Sequence, residues 1–206
     1  MPTIGWMGTG TMGYAMAENA LQAGYSLRIY NRSKEKAAPL LEKGAIWAPT
    51  PAAAVAGVDV VWIMLADDAA IRDVFTGETG ILSAISSGVL VIDSSTVSPA
   101  TSMTIGKLVA EKGAEFLDAP VSGSRPHAEQ AALTFMVGGT QQAYEKATPY
   151  FDVLGKKSFY LGEQGAGINR ERTSANWCKP FGIFTEVTMS YDWPLTEMGP
   201  TSLLAR

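Results

Sequence analysis

Gly8-Thr9-Gly10-Thr11-Met12-Gly13 stands between an apolar run at residues 2–7 and a helix-like stretch at residues 14–23, and nothing else in the chain limits its fold so tightly. The apolar run reads as a strand. Gly8 permits a tight turn, Gly10 lets another group approach the main chain, and Gly13 lets the helix lie close to the strand. The unpaired N–H groups at the helix start, with its dipole, then form a site for an anion such as a diphosphate. A bare G-x-G-x-x-G is also compatible with an ordinary glycine-rich turn. The flanking strand and helix, and a second strand beyond, make it a nucleotide-binding signature.

That second strand, residues 26–30, runs into Asn31-Arg32-Ser33. An acidic residue about 20 positions past the glycines usually accepts a hydrogen bond from the ribose 2′-hydroxyl of NAD. Here an amide, a guanidinium and a hydroxyl stand instead. Arg32 can make charge-assisted hydrogen bonds to a 2′-phosphate, and position 31 carries no carboxylate to repel one. These residues favour NADP over NAD. The plainer alternative makes Arg32 a solvated loop charge and Asn31 a turn former or N-cap.

Strand-like and helix-like segments then alternate. Residues 33–43 read as a helix capped by Ser33, and Thr50-Pro51 opens a short alanine-rich helix that stops at Gly57. Residues 58–65 and 89–93 are nearly continuous apolar runs, as expected of strands covered on both faces. Further helices are expected at 67–75, 98–112 and 141–154, and further strands at 115–119, 133–137 and 158–161. Asp67-Asp68 reads as a helix cap and dipole partner rather than a catalytic carboxylate pair. The alternation predicts an α/β fold: a Rossmann-type, doubly wound, mostly parallel sheet over residues 1–164. Residues 165–206 read as a short, incomplete helical segment with an irregular tail, since Pro180 and Gly182 interrupt the face offered by Trp177, Phe181, Phe184 and Thr188. Those aromatics need cover, which points to a homo-oligomer or another partner chain.

With 206 residues and 47% hydrophobic content, the chain can bury a full core. Its net charge is −4 and its basic residues are scattered, so it offers no face for nucleic acid or an anionic membrane. No apolar run is long enough to span a bilayer and no leader-like pattern precedes Pro2, so a cytoplasmic location is expected. The single cysteine, Cys178, fits a reducing compartment and has no histidine near it in sequence to activate it. No His/Cys/Asp/Glu cluster has ligand spacing, so no metal is expected. The one histidine, His127, reads as a solvated loop residue beside proline.

Several stretches carry a resemblance when taken together: residues 4–13, Tyr30-Asn31-Arg32-Ser33, Met64-Leu65, Asp93-Ser94-Ser95-Thr96, Asp118-Ala119-Pro120-Val121-Ser122-Gly123, Met136-Val137-Gly138-Gly139 and residues 162–167. In this order they resemble the β-hydroxyacid dehydrogenase family. That family includes 3-hydroxyisobutyrate dehydrogenase, tartronate semialdehyde reductase and glyoxylate/succinic semialdehyde reductases, and it is related to 6-phosphogluconate dehydrogenase. The resemblance implies an NADP-dependent oxidoreductase that interconverts a small hydroxy acid and its aldehyde or keto acid. It assigns Gly8, Gly10, Thr11, Met12 and Gly13 to the pyrophosphate, and Asn31, Arg32 and Ser33 to the adenosine ribose phosphate. Met64, Leu65 and Thr96 would line the cleft near the nicotinamide. Ser122, Gly123 and Ser124, with Thr96, would hold the substrate, its carboxylate meeting backbone N–H groups and the Ser122 hydroxyl. Without the family, Ser122-Gly123-Ser124 is a turn. The family pattern has glycine where Ser124 stands and commonly where His127 stands, so either side chain could tighten the pocket.

The resemblance also implies a lysine, followed four residues on by an asparagine, on the first helix after the glycine-containing turn. The lysine serves as general acid/base while hydride passes to or from the nicotinamide. Counting from Gly165 and Gly167 places Glu171 at the lysine position, and counting back from Asn176 places Arg172 there. Arg172 and Asn176 are therefore the candidate catalytic pair, although arginine keeps its proton near neutral pH and glutamate inverts the charge. Lys179, beside Pro180, is out of step with the pattern. Family members continue into an all-helical domain that closes the site and builds the dimer, whereas residues 165–206 read as a truncated or frame-shifted version of it. Two functions follow: an NADP-dependent enzyme of this type, or a catalytically impaired dinucleotide-binding module whose tail mediates self-association or partner binding. A Rossmann methyltransferase leaves the Asp93–Thr96 and Ser122–Ser124 segments without a role.

Overall fold

The computed structural model describes residues 2–169. The chain builds β1 (Thr3–Met7), α1 (Thr11–Gln22), β2 (Ser26–Tyr30), α2 (Ala38–Glu42), β3 (Ile46–Trp47), α3 (Pro51–Val55), β4 (Val60–Ile63) and α4 (Asp68–Thr76). There follow β5 (Leu90–Asp93), α5 (Pro99–Glu111), β6 (Glu115–Asp118), β7 (Val121–Ser122), α6 (Arg125–Glu129), β8 (Leu133–Val137), α7 (Gln141–Leu154) and β9 (Gly155–Tyr160). The first six strands form one parallel sheet in the order β3-β2-β1-β4-β5-β6. This is the doubly wound α/β architecture that the alternating pattern predicted, with the strand order reversing between β1 and β4. Every residue of β4 and β5 is buried, because helices cover both faces of the sheet.

Two apolar layers hold the sheet. One contains Trp6, Trp62, Phe135 and Phe151; the other contains Ile63, Phe75, Val91 and Ile105. Trp6 and Trp62 stack in adjacent strands with ring centroids 5.7 Å apart, and Trp62 meets Phe135 and Phe151 edge-on. The expected strands at 133–137 and 158–161 exist, but they belong to a separate three-stranded sheet, β7-β8-β9. A bridge between Asp118 and Gly138 joins the end of β6 to that small sheet. Among the described residues, no helix is long and apolar enough to cross a membrane.

Several local expectations fail for identifiable reasons. The stretch 33–43 is not one helix: a 3-10 turn over Lys34–Ala37 precedes α2. Pro39 has no N–H to offer an interior α-helical bond, so the chain restarts with proline in a first turn. Ser33 makes no side-chain cap there. β3 escaped notice because two residues carry no readable period. Residues 121–129 hold a short strand and helix where the sequence suggested only a loop. The Asp67 cap is as expected, and Thr50 and Ser98 cap the helices they open; each of the three accepts from the backbone N–H three residues on.

Candidate functional site

A cleft of about 190 Å³ opens where the carboxyl ends of β1 and β4 diverge, lined by Gly10, Thr11, Met12, Gly13, Met64, Leu65 and Ala66. In an open α/β sheet this reversal of strand order is where ligands gather. The glycine turn is built by close packing. Gly8 has φ +96°, and a side chain there would collide with the Met64 carbonyl. A Cβ on Gly13 would press on Gly8 O from 2.5 Å. The buried Trp6 indole N–H donates to that same Gly8 carbonyl at 3.0 Å.

Gly10 differs from its neighbours. It has φ −68° and ψ −173°, an extended conformation open to any residue, and a Cβ added there meets nothing within 4 Å. Among the described residues, neither strain nor crowding calls for glycine at this position. A ligand that must touch the main chain does call for it. The helix starts at Thr11, earlier than residue 14, so Thr11, Met12 and Gly13 form its first turn. Tyr14 N–H makes the first intrahelical bond, to Gly10 O at 2.8 Å, which leaves the three preceding amides without acceptors among the described residues. No acidic side chain stands in that turn, so a diphosphate fits this donor set.

After β2, Asn31 acts as a brace rather than an open ligand. Its Oδ1 accepts from Thr9 N–H at 3.0 Å and its Nδ2 donates to Ser33 O at 2.8 Å. Arg32 is exposed and makes no ion pair among the described residues. Thr96 is exposed just past the end of β5, on the same edge of the sheet as Met64 and Leu65.

Two buried carboxyls stand side by side at the ends of β5 and β6, where Asp93 pairs in register with Asp118. Burial pushes the Asp93 carboxyl up to about 7, against the pull of its Ser95 hydrogen bonds, and the charge of Asp118 adds to the rise. Burial also raises Asp118, opposed by backbone N–H groups that its carboxylate accepts. Those donors include Gly165 at 2.7 Å and Ile168 at 2.9 Å, so Asp118 pins the start of the helical turn at residues 166–169. Gly138 and Gly167 lack side chains because a Cβ on either would strike this carboxylate. Sequence reasoning gave neither aspartate a role of its own. The available signal was a lone acid ending each apolar strand run.

Ser122 ends β7 and Gly123 leads toward α6, which is tied to α1 by Asn19 Nδ2 donating to Ala128 O at 2.7 Å. His127 is exposed but not merely solvated: its Nδ1 accepts from Ser124 N–H at 3.2 Å and lies 2.9 Å from Ser124 Oγ. The Ser124 amide is thereby occupied, which corrects the expectation of a run of open backbone donors. Gly123 has φ +143°, and a Cβ there would meet Leu133 and His127, so only glycine suits it. Glu171, Arg172, Asn176, Cys178 and Lys179 lie outside the described residues. Among the described residues, no three His, Cys, Asp or Glu side chains gather as a metal site.

Residues 3–162 match the family described as the NAD binding domain of 6-phosphogluconate dehydrogenase. Glyoxylate/succinic semialdehyde reductase 2, chloroplastic, from Arabidopsis thaliana is 44% identical over 165 residues, which are 80% of this chain and 46% of that protein. A solved 3-hydroxyisobutyrate dehydrogenase from Mycobacterium tuberculosis, with L-serine, aligns at TM-score 0.81 and 33% identity over 84% of this chain and 59% of its own. Psf3 in complex with NADP+ and 2-OPP aligns at TM-score 0.80 and 29% identity, over 84% of this chain and 61% of its own. The chain spans about half the length of the curated relatives it matches.

Proposed function

The chain belongs to the β-hydroxyacid dehydrogenase family, and on that footing we propose that it binds NADP and serves hydride transfer between a small hydroxy acid and its aldehyde or keto acid. One observation carries the reading: at the switch point of the sheet Gly10 leaves open main chain beside three amides unpaired among the described residues. The amides of Thr11, Met12 and Gly13 hold the pyrophosphate. Arg32 takes the 2′-phosphate, with Ser33 beside it and Asn31 bracing the turn from behind. A relative solved with NADP+ supports NADP as the nucleotide.

A nicotinamide nucleotide held at this site would supply or accept the hydride. Met64, Leu65 and Thr96 flank it in this reading. The Ser122 hydroxyl and the Gly123 amide hold the substrate carboxylate, and Ser124 with His127 narrows the pocket. Arg172 and Asn176 are the proposed polar partners of the reacting oxygen, Arg172 through fixed charge because a guanidinium keeps its proton. In the same proposal residues 165–206 are a remnant of the helical second domain with an irregular tail, and the protein acts in the cytoplasm as a homo-oligomer. Sedimentation across a concentration series checks that assembly.

NADPH fluorescence titration and NADPH oxidation with glyoxylate or succinic semialdehyde test the proposal. Saturable binding with turnover supports it. Binding without turnover reduces the chain to a nucleotide-binding module. No binding at all removes the basis of the reading.

A further inference from the structure

The cleft wall at Met64, Leu65 and Ala66 is held from behind by a chain of hydrogen bonds, running from part-buried to buried, with no part in the proposed hydride transfer. The Leu65 N–H donates to Ser95 Oγ at 2.9 Å. Ser95 donates its own N–H to Asp93 Oδ1 at 2.9 Å, and its hydroxyl also bonds that carboxylate. A hydroxyl that donates to one group while accepting from another is strengthened at both ends. Asp93 is 3% exposed and Ser95 1%, so the relay lies at low dielectric. The wall in turn abuts the glycine turn. Leu65 Cδ2 lies 2.9 Å from where a Gly8 Cβ would stand, and Met64 Cβ lies 3.3 Å from where a Gly13 Cβ would stand.

We propose that Asp93 is a positioning residue for the dinucleotide: acting through Ser95, it fixes the Leu65 amide and with it the wall against which the cofactor lies. The proposal rests on the nucleotide reading of the cleft given above. A carboxylate suits the task because two oxygens can serve both Ser95 donors, whereas an asparagine offers a single acceptor oxygen. Among the described residues, Asp118 on the neighbouring β6 is the charged group set against Asp93, and β4 brings the Ile63 backbone on the other side. Ionised Asp93 is the stronger acceptor and holds the relay tightest. With its carboxyl titrating at about 7, the wall firms as pH rises through neutrality.

The test is NADPH binding, followed by nucleotide fluorescence between about pH 6 and pH 8, for the unmodified chain, Asp93→Asn and Ser95→Ala. The 2′-phosphate itself titrates near pH 6, so the quantity read is the difference between the profiles. The expected result is a Kd that falls about threefold more across this range in the unmodified chain than in Asp93→Asn, which cannot ionise. Ser95→Ala, which removes the acceptor of the Leu65 amide, weakens binding about fivefold or more at pH 8. Circular dichroism confirms that each variant is folded. Parallel pH profiles for the chain and Asp93→Asn, or an unchanged Kd in Ser95→Ala, overturn the positioning role while leaving nucleotide binding intact. Failure of the unmodified chain to bind NADPH at any pH overturns the nucleotide reading and the positioning role together.

Discussion

Replacing Gly10 with alanine separates the needs of the fold from the needs of the ligand. The backbone at Gly10 is extended (φ −68°, ψ −173°) and a Cβ there touches nothing within 4 Å, so alanine fits without strain. Restricting the unfolded chain should stabilise the protein by about 0.4–1 kcal/mol. Alanine is a poorer N-cap than glycine by a comparable amount, roughly 0.5–1 kcal/mol. The two effects nearly cancel, and the melting temperature should move by less than about 4 °C. Binding should respond differently. A methyl group in that space keeps phosphate oxygens away from the first-turn amides, and each charge-assisted bond lost is worth about 1.5–3 kcal/mol. Two such losses raise the NADPH Kd by more than about 100-fold. Gly13→Ala supplies the contrast, since its Cβ would press on Gly8 O at 2.5 Å. There the cost appears as about 1–3 kcal/mol of stability. Thermal melts and NADPH fluorescence titrations on both variants give the comparison. Binding by Gly10→Ala within about threefold of the unmodified chain would refute the reasoning.

Arg32→Ala should weaken NADPH by about 1.5–3 kcal/mol and NADH little; equal losses in paired titrations mean that Arg32 does not read the 2′-phosphate. The neutral form of Asp93 contributes stability that is complete below its unfolded value of 3.8 and lost as pH rises through about 7. Asp93→Asn should therefore gain on the unmodified chain, by on the order of 4 kcal/mol, between about pH 4 and pH 8 in urea unfolding. A difference that stays constant with pH contradicts a raised Asp93. Asp118→Ala strands the buried amides of Gly165 and Ile168 and should lower stability by roughly 3 kcal/mol. An unchanged urea midpoint shows that the anchor holds nothing.

The central strands were legible because parallel strands covered on both faces must be apolar throughout, as residues 58–65 and 89–93 are. The helix starts at Thr50, Asp67 and Ser98 were legible, Asp67 also as a cap, because a helix start favours a side-chain acceptor at one fixed position. The break at residue 38 could have been found from Pro39, whose missing N–H forbids a continuous helix. β3 and β7 left no trace, since two residues cannot show a period and their pairing depends on partners distant in sequence. The glycine turn announced a phosphate site, but which glycines answer to packing and which to the ligand became visible only from neighbouring atoms: Met64 O over Gly8, open space at Gly10. Asn31 shows the same limit. Its type suits a ribose contact equally well, and only the partners Thr9 and Ser33 identify it as a brace. The Ser124–His127 pair closes over three residues of sequence, yet nothing in the side-chain types required the imidazole to take the Ser124 amide.

An NMR titration of ¹⁵N-labelled protein with NADPH probes the heart of the matter, because it observes the amides themselves. The predicted result is saturable shifts of the Thr11, Met12 and Gly13 signals, downfield as their N–H groups engage phosphate oxygens, with Arg32 responding to NADPH but not to NADH. First-turn amides that stay in place while the nucleotide binds elsewhere, or does not bind, would contradict a diphosphate site at this helix start.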